Sequence, residues 1–388
     1  MNTETLKVAG FEVSPHHYIN GQHVASDETF ELFCPIDQRL LGRISEGTAV
    51  HVDAAISAAQ TAFTAWGALT AAERKPFLDR FAAEIGKRSE AFCQLESNDA
   101  GILLSRMKHG VVPRAMLNIT YFAEQALSLQ NRPIETEQAS HIVRHDPAGV
   151  VVIITPWNSP LMLATWKLGP ALAAGNCVIV KPPEWAPLTS SLLADCAHAA
   201  GLPPGVFNIV QGSGMGTGAK LVSDPRLARI SFTGSVPTAK WIAQAAGANL
   251  VPCSLELGGK SPFIVLEDAD IDNAAATGAL MYRNAGQVCL AGTRFLVHSR
   301  VHDVFVAAMR GYVEKLNIGD PRDEAVEVGP IIHPRQVERV KGFVERALAD
   351  GAELLWGGKP HPFGAQYFEP TMLTKLKQHS EIVQNEVF

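Results

Sequence analysis

The stretch GVVVIITPWNSPLMLATWKLGPALAAGNCVIVKPPE, residues 149–184, decides the fold. It opens on a continuous apolar run, 149–155, and reaches a second, 177–181, with a helical stretch over 161–174 between them. A strand with one wet face alternates, so unbroken apolar runs read as parallel strands covered on both faces. The alternation continues outward. Residues 187–200 are helical and stop at Gly201, a natural C-terminal residue for a helix. Strand 206–210, helix 215–222, strand 229–232 and helix 236–246 follow. Four strand–helix units in series predict an α/β fold with a parallel, doubly wound sheet and right-handed crossovers.

Ligands of such sheets bind at the carboxyl ends of the strands. Four loops stand there: Thr155-Pro156-Trp157-Asn158, Lys181-Pro182-Pro183-Glu184, Gly212-Ser213-Gly214-Met215-Gly216 and Phe232-Thr233-Gly234-Ser235. The last opens a helix, whose amino end favours phosphate. A lysine and a carboxylate at a strand end can clamp ribose hydroxyls, one donating and the other accepting. Lys181 and Glu184 suit that work, and a carboxylate there repels a ribose 2′-phosphate, favouring NAD over NADP. A lone glycine turn is weak evidence; four loops at successive strand ends point to a dinucleotide.

The residues before this sheet read as scaffold. Asn20-Gly21 is a hairpin signal, with 17–19 and 29–33 as short strands around a turn. Val52, Ile56, Ala59, Phe63 and Trp66 recur at spacings of four and three and give a helix one apolar stripe. A second helix is predicted over 71–98, with Thr70 and Glu73 as a capping box. A third runs over 113–128, where Pro113 suits the first turn. Arg114 lies at its start, and helix starts are often aimed at ligands. Residues 130–139 are polar, contain Pro133, and read as loop or exposed ribbon.

Composition bounds the class. A 388-residue chain with 47% hydrophobic and 19% charged residues is ordinary globular material for two or three domains. A net charge of −6 argues against nucleic-acid binding. The polar start MNTETLKVAG lacks an apolar signal core, and the longest apolar runs are too short to span a bilayer. A cytoplasmic location with reduced thiols is expected. The six cysteines (Cys34, Cys93, Cys177, Cys196, Cys253, Cys289) form no CxxC pair and no cluster with ligand spacing, so no metal is expected.

The chemistry is expected after residue 255. Glu256 stands in LELGGKSP, an apolar, glycine-rich setting, and low polarity raises a carboxyl's pKa and makes it a better base. Residues 263–266 read as strand and 271–283 as a helix leading to NAGQVCLAGTR, 284–294. There Cys289 sits between Val288 and Leu290, with Gly286 and Gly292 letting backbone approach a reacting atom. Strand 294–297, helix 301–315, helix 333–350 and strand 353–356 complete the pattern.

The motifs PWNSP, KPPE, FTGS, LELGGKSP, GQVCLAGTR and the terminal NEVF occur in this order, and with them the chain resembles the aldehyde dehydrogenase superfamily from about residue 17 to its end. The resemblance implies two doubly wound parallel-sheet domains plus a small oligomerisation ribbon. It divides the chain into 1–129 and 147–255 for NAD binding, 130–146 for the ribbon, and 256–388 for catalysis. It implies NAD(P)-dependent oxidation of an aldehyde to a carboxylic acid in a homodimer or homotetramer. Cys289 matches the nucleophile, Glu256 the general base, Asn158 the oxyanion donor and Lys167 a lysine of the proton relay. Lys181 and Glu184 match adenosine-ribose contacts, Ser235 a pyrophosphate contact and Glu386 the nicotinamide-ribose contact. Thr155, Pro156, Trp157, Gly212, Gly216, Phe232, Gly234, Leu257 and Phe388 complete the implied NAD site. The segment around Arg114 is similar to the hydroxymuconate and carboxymethyl-hydroxymuconate semialdehyde branch, where an arginine at the matching place is a candidate for holding the substrate carboxylate. General aliphatic, aromatic or betaine-type aldehydes are the alternative, as is a non-catalytic NAD-binding relative. Family members continue past NEVF, so an incomplete catalytic domain with an uncovered sheet edge is expected.

Overall fold

The computed structural model describes residues 5–129 and 131–388. The chain divides into two compact units. The first takes the described residues up to Phe33, with Leu40–Asp99 and Arg106–Glu256; the second takes Cys34–Arg39, Ala100–Ser105 and Leu257–Phe388. Among the described residues, no helix is long and apolar enough to cross a membrane.

A seven-stranded sheet organises the first unit, in the order Cys253–Leu257, Arg229–Gly234, Val150–Ile154, Cys177–Lys181, Phe207–Ile209, His17–Ile19, Gln22–Val24. The Val150–Ile154 strand pairs in parallel with both Cys177–Lys181 and Arg229–Gly234, and Cys177–Lys181 pairs in parallel with Phe207–Ile209. Ile154 lies opposite Lys181 on one side and Phe232 on the other, so these strands end level and their loops share one edge. Every residue of Val150–Ile154 and Cys177–Lys181 is buried, which is the environment unbroken apolar runs require.

Asn20-Gly21 does make a hairpin, but it joins His17–Ile19 to Gln22–Val24, and Thr29–Phe33 pairs instead with Leu40–Ser45. The turn carries φ values of +52° and +80°, the doubly left-handed conformation that matches strand twist. The helix expected over 71–98 is two helices, Ala71–Lys87 and Ser89–Asp99. Arg88 leaves helical geometry at φ −105°, ψ 19°. Apolar positions continue in phase across this junction, so periodicity could not mark it. The capping box is present: Thr70 N–H donates to Glu73 Oε2 at 2.7 Å, and Glu73 N–H to Thr70 Oγ1 at 3.3 Å. The helix expected to start at Pro113 does not start there. Helical backbone enters at Leu104–Arg106 and widens through a π turn, Met107–Val111, before Val112–Ala126. The π turn re-registers the backbone just ahead of a proline that has no N–H to donate. Arg132–Glu135 and Ser140–Val143 form the exposed antiparallel ribbon; Gln130 lies outside the described residues.

Two buried carboxylates tie the helices that follow the first two sheet loops. Glu96 Oε2 accepts Leu161 N–H at 3.0 Å, in the first turn of Pro160–Ala173, and the Thr189 hydroxyl at 2.8 Å, in the first turn of Leu188–Ala199. Asp99 Oδ2 accepts Leu188 N–H at 2.9 Å. Each uses carboxyl oxygen at a helix amino end to satisfy orphan donors. Burial pushes the Glu96 carboxyl up to about 7, against the Thr189 and Leu161 hydrogen bonds and the nearby Arg106.

The second unit carries a parallel pair, Pro262–Val265 with Arg294–Val297, and an antiparallel pair, Glu353–Trp356 with Met372–Thr374. Phe305 and Met309 of helix His302–Val313 pack with Val265, Ala275 and Ala279 as its core.

Because Glu96 holds its proton to higher pH when folded, its contribution to stability is present at low pH. That contribution is lost as pH rises from the ordinary glutamate range toward about 7. Glu96→Gln keeps an acceptor for both donors, so it is expected to flatten that decline in denaturant midpoints measured from pH 5 to pH 8.

Candidate active site

The loops at the level edge of the sheet are built on one buried lysine. Lys181 is 3% exposed, and its Nζ donates to Pro182 O and Gly212 O, each at 2.7 Å. Burial lowers its pKa, and the carboxylates of Glu184 and Glu46 work against that. Glu184 is held in turn: its Oε2 accepts Gly214 N–H at 2.9 Å. The second and third loops are thus joined by a cation and an anion.

The first loop joins them through backbone and rings. Thr155 N–H donates to Lys181 O at 3.3 Å, and Trp157 lies 6.0 Å from Trp185 between ring centroids. Asn158 is buried at 8% exposure. The shielded hydroxyls Thr155 Oγ1 and Thr233 Oγ1, at the ends of adjacent strands, have no hydrogen-bond partner among the described residues. Ser235 caps its own helix, Val236–Gly247, by accepting Thr238 N–H at 3.4 Å. Gly212 and Gly216 are glycines for an internal reason. A Cβ on Gly212 would stand 1.9 Å from Thr217 Oγ1, and one on Gly216 would stand 2.5 Å from Glu46 Oε1.

Lys167, on helix Pro160–Ala173, donates from Nζ to Ser231 Oγ at 3.1 Å. Burial lowers its pKa, and Glu256 partly opposes the shift, so the two are electrostatic neighbours. Glu256 itself is exposed, not sunk in the low-polarity setting expected of it. It stands near the end of Cys253–Leu257, the edge strand of the sheet among the described residues.

In the second unit, the helix expected to run to residue 283 gives way after Ala279 to a 3₁₀ stretch. Asn284, Ala285 and Gly286 then take φ of +55°, +53° and +77°, three left-handed residues in a row. Asparagine and glycine tolerate this; alanine costs about 1–2 kcal/mol there. Two buried amides hold the turn. Gln287 Nε2 donates to Asn284 O at 2.9 Å and Asn284 Nδ2 to Gln287 O at 3.3 Å, while Gln287 Oε1 accepts Ile332 N–H at 3.0 Å. Cys289 follows in a half-buried turn, with Leu290 beside it 76% exposed. Gly286 therefore serves backbone conformation, since a Cβ on it would meet nothing within 4 Å.

Glu386 folds against the glycine turn after Glu256. A Cβ on Gly258 would fall 1.9 Å from Glu386 Oε1, and Gly259 donates a backbone hydrogen bond to the carboxylate. Burial raises the Glu386 pKa, opposed by Arg339, that backbone bond and Lys260. Burial and the neighbouring Arg294 bring Lys260 down to about 8, with Glu386 opposing. Arg339 clamps the chain here, Nη2 to Glu386 O at 2.7 Å and Nε to Val387 O at 3.1 Å. Leu257 is 37% exposed and Phe388 half-buried.

Arg114 is exposed on the face of Val112–Ala126. Its Nε donates to Asn118 Oδ1 at 3.0 Å and its guanidinium lies 5.2 Å from the Trp166 ring centroid. It does not stand at a helix amino end, because the chain is already helical ahead of it.

The family model of the aldehyde dehydrogenase family matches residues 23–388. The chain belongs to the aldehyde dehydrogenase family. It is 36% identical over 377 residues to a Staphylococcus aureus (strain USA300) relative, covering 96% of this chain and 79% of that one. The aldehyde dehydrogenase KauB of Pseudomonas aeruginosa superposes with a TM-score of 0.95 at 34% identity, covering 98% of this chain and 79% of its own. Indole-3-acetaldehyde dehydrogenase of P. syringae, in complex with NAD+ and IAA, superposes at 0.94 with 34% identity, covering 97% and 78%.

Within this aldehyde dehydrogenase, the first unit brings together Thr155, Lys181, Glu184, Gly212 and Gly216 at the sheet edge, and Lys167 with Glu256. The second gathers Gly258, Lys260 and Glu386. Residue-by-residue reading missed Glu46, Ser231 and the Asn284–Gln287 pair. Asn-Ala-Gly was the available signal for the last, since asparagine and glycine flank the strained alanine. Asn284→Ala is expected to lower unfolding free energy by about 2 kcal/mol in denaturant titration. It removes a buried hydrogen-bonded amide and puts a second alanine in the left-handed region.

Proposed function

We propose that the chain oxidises an aldehyde to the carboxylic acid with NAD. The observation that carries this reading is the row of loops level at one sheet edge, with a buried lysine and a carboxylate set at the end of one strand, in a member of this family. Unpartnered hydroxyls at Thr155 and Thr233 offer further polar contacts. Lys181 and Glu184 would hold the adenosine ribose, Ser235 and the helix behind it the pyrophosphate, and Glu386 the nicotinamide ribose. When bound, NAD supplies the hydride acceptor.

In this reading the thiolate sulfur of Cys289 adds to the aldehyde carbon, and the carbonyl π pair moves to oxygen. Asn158 Nδ2 and the Cys289 backbone N–H donate to that oxyanion; such donors are worth about 3 kcal/mol each. The oxyanion re-forms its double bond as the carbon gives up hydride, leaving a thioester on Cys289. Glu256 takes a proton from water, the hydroxide adds to the thioester, and the thiolate leaves. An exposed Glu256 can exchange that proton with solvent or pass it toward Lys167 and Ser231.

The substrate we infer carries a carboxylate. Asn118 and Trp166 hold Arg114 in one orientation, and an arginine fork matches a carboxylate. A second reading comes from the same surface: Leu117, Tyr121 and Trp166 are each about half exposed around Arg114, which suits an aromatic or aliphatic aldehyde. We place the enzyme in the cytoplasm as a homo-oligomer, with the exposed ribbon bearing Ile134, Ile142 and Val143 as a pairing element.

Cys289→Ser is expected to abolish NADH formation from any aldehyde. Glu256→Gln is expected to give one burst of NADH absorbance and then stall at the thioester; full steady-state turnover in that variant would remove Glu256 from its role. Arg114→Ala is expected to raise KM for an acidic semialdehyde about tenfold and leave that for a neutral aldehyde unchanged. An unchanged KM for the acidic substrate would leave the neutral-aldehyde reading.

A further inference from the structure

Glu46 stands just before helix Ala49–Trp66 and reaches into the glycine loop that follows strand Phe207–Ile209. Its two oxygens accept Ser213 N–H at 3.1 and 3.0 Å, and Oε1 also accepts the Ser213 hydroxyl at 2.9 Å and the Thr217 hydroxyl at 3.1 Å. Gly47 N–H pins the approach by donating to Gln211 O at 2.9 Å. A side chain on Gly216 would collide with this carboxylate. The concavity that a glycine-rich loop offers to phosphate is therefore filled by an anion of the chain itself.

The loop so held is the one that fixes both ribose-side residues. Gly212 O receives the Lys181 ammonium, and Gly214 N–H holds Glu184. We propose that Glu46 is a positioning and coenzyme-selecting residue. It sets the Gly212 carbonyl and Gly214 N–H against Lys181 and Glu184, and with Glu184 it closes the ribose 2′ position to phosphate. The proposal rests on the NAD reading above. Its physical basis is that a carboxylate fixed in a partly shielded loop repels a second anion more than a solvated one does. Glu46 is also one of two carboxylates opposing the loss of charge on buried Lys181, so removing it weakens the donor that a ribose hydroxyl needs.

The test uses the full chain with three proteins: wild type, Glu46→Gln and Glu46→Asp. NADH and NADPH are titrated by the fluorescence of the bound coenzyme. Kinetics with NAD and a thermal melt accompany the titrations. Glutamine keeps the shape and an acceptor for Ser213 but loses the charge. It is expected to raise the Kd for NADH about tenfold, leave kcat at saturating NAD within about twofold, and narrow the preference for NADH over NADPH about tenfold. Aspartate keeps the charge with a shorter reach, and is expected to retain the wild-type preference while NADH binds more weakly. Glu46→Gln binding both coenzymes within about twofold of wild type would overturn the proposal. So would equal loss of preference in the Gln and Asp variants, which would mark a purely structural role. Wild type binding neither coenzyme would overturn the NAD reading itself, and this proposal with it.

Discussion

The ammonium of Lys181, closed off from water, is the constraint on which the first unit's loops depend. A buried cation must be surrounded by oxygen atoms or lose its proton. Here the oxygens come from Pro182 and Gly212, with the carboxylates of Glu184 and Glu46 in electrostatic reach. Meeting that requirement forces the third loop to turn its Gly212 carbonyl toward the second. The turn in turn leaves amides at 213 and 214 that need acceptors, and Glu46 and Glu184 supply them. Each polar group thus answers the demand created by the previous one.

The second unit solves a different problem by strain. Three successive left-handed residues before Cys289 reverse the chain sharply, and at least the alanine among them is unfavourable. Such a turn needs bonds that hold it closed. The reciprocal amide bonds between Asn284 and Gln287, and the anchoring of Gln287 on Ile332, hold it from three sides. Strained backbone persists where surroundings over-determine it, and such places cluster at functional sites.

How legible these arrangements were depends on the range of the contact. The sheet was readable because a doubly covered strand announces itself in its own five residues, as at 150–154 and 177–181. The capping box at Thr70 and Glu73 was readable because its partners lie three apart. The break at Arg88 and the π turn over Met107–Val111 were not, because apolar phase and a first-turn proline mimic simpler helices. Glu46 lies 167 positions from Ser213, and Glu96 lies 93 from Thr189. Neither pairing leaves any local pattern. Lys181, Glu184, Glu256 and Cys289 stood out from their own surroundings and were given roles by resemblance; their supports did not, since a support is defined by what it touches and not by its neighbours in sequence.

The carboxylates consequently divide by what they are bonded to. Glu46, Glu96 and Asp99 accept from backbone amides and hydroxyls of their own unit, so they shape loops and helix ends. Glu184 and Glu386 are each held by a glycine N–H, from Gly214 and Gly259, which fixes the carboxylate while leaving lone pairs for an outside donor. Glu256 has Lys167 as an electrostatic neighbour and stands exposed. A carboxylate has about four acceptor positions, so burial rather than the number of bonds already made sets Glu96 and Asp99 apart from the exposed Glu256. Glycine is required at Gly216 and Gly258, where a Cβ would stand 2.5 Å from Glu46 Oε1 and 1.9 Å from Glu386 Oε1. The glycines of this chain are therefore informative about anions, but about its own anions first.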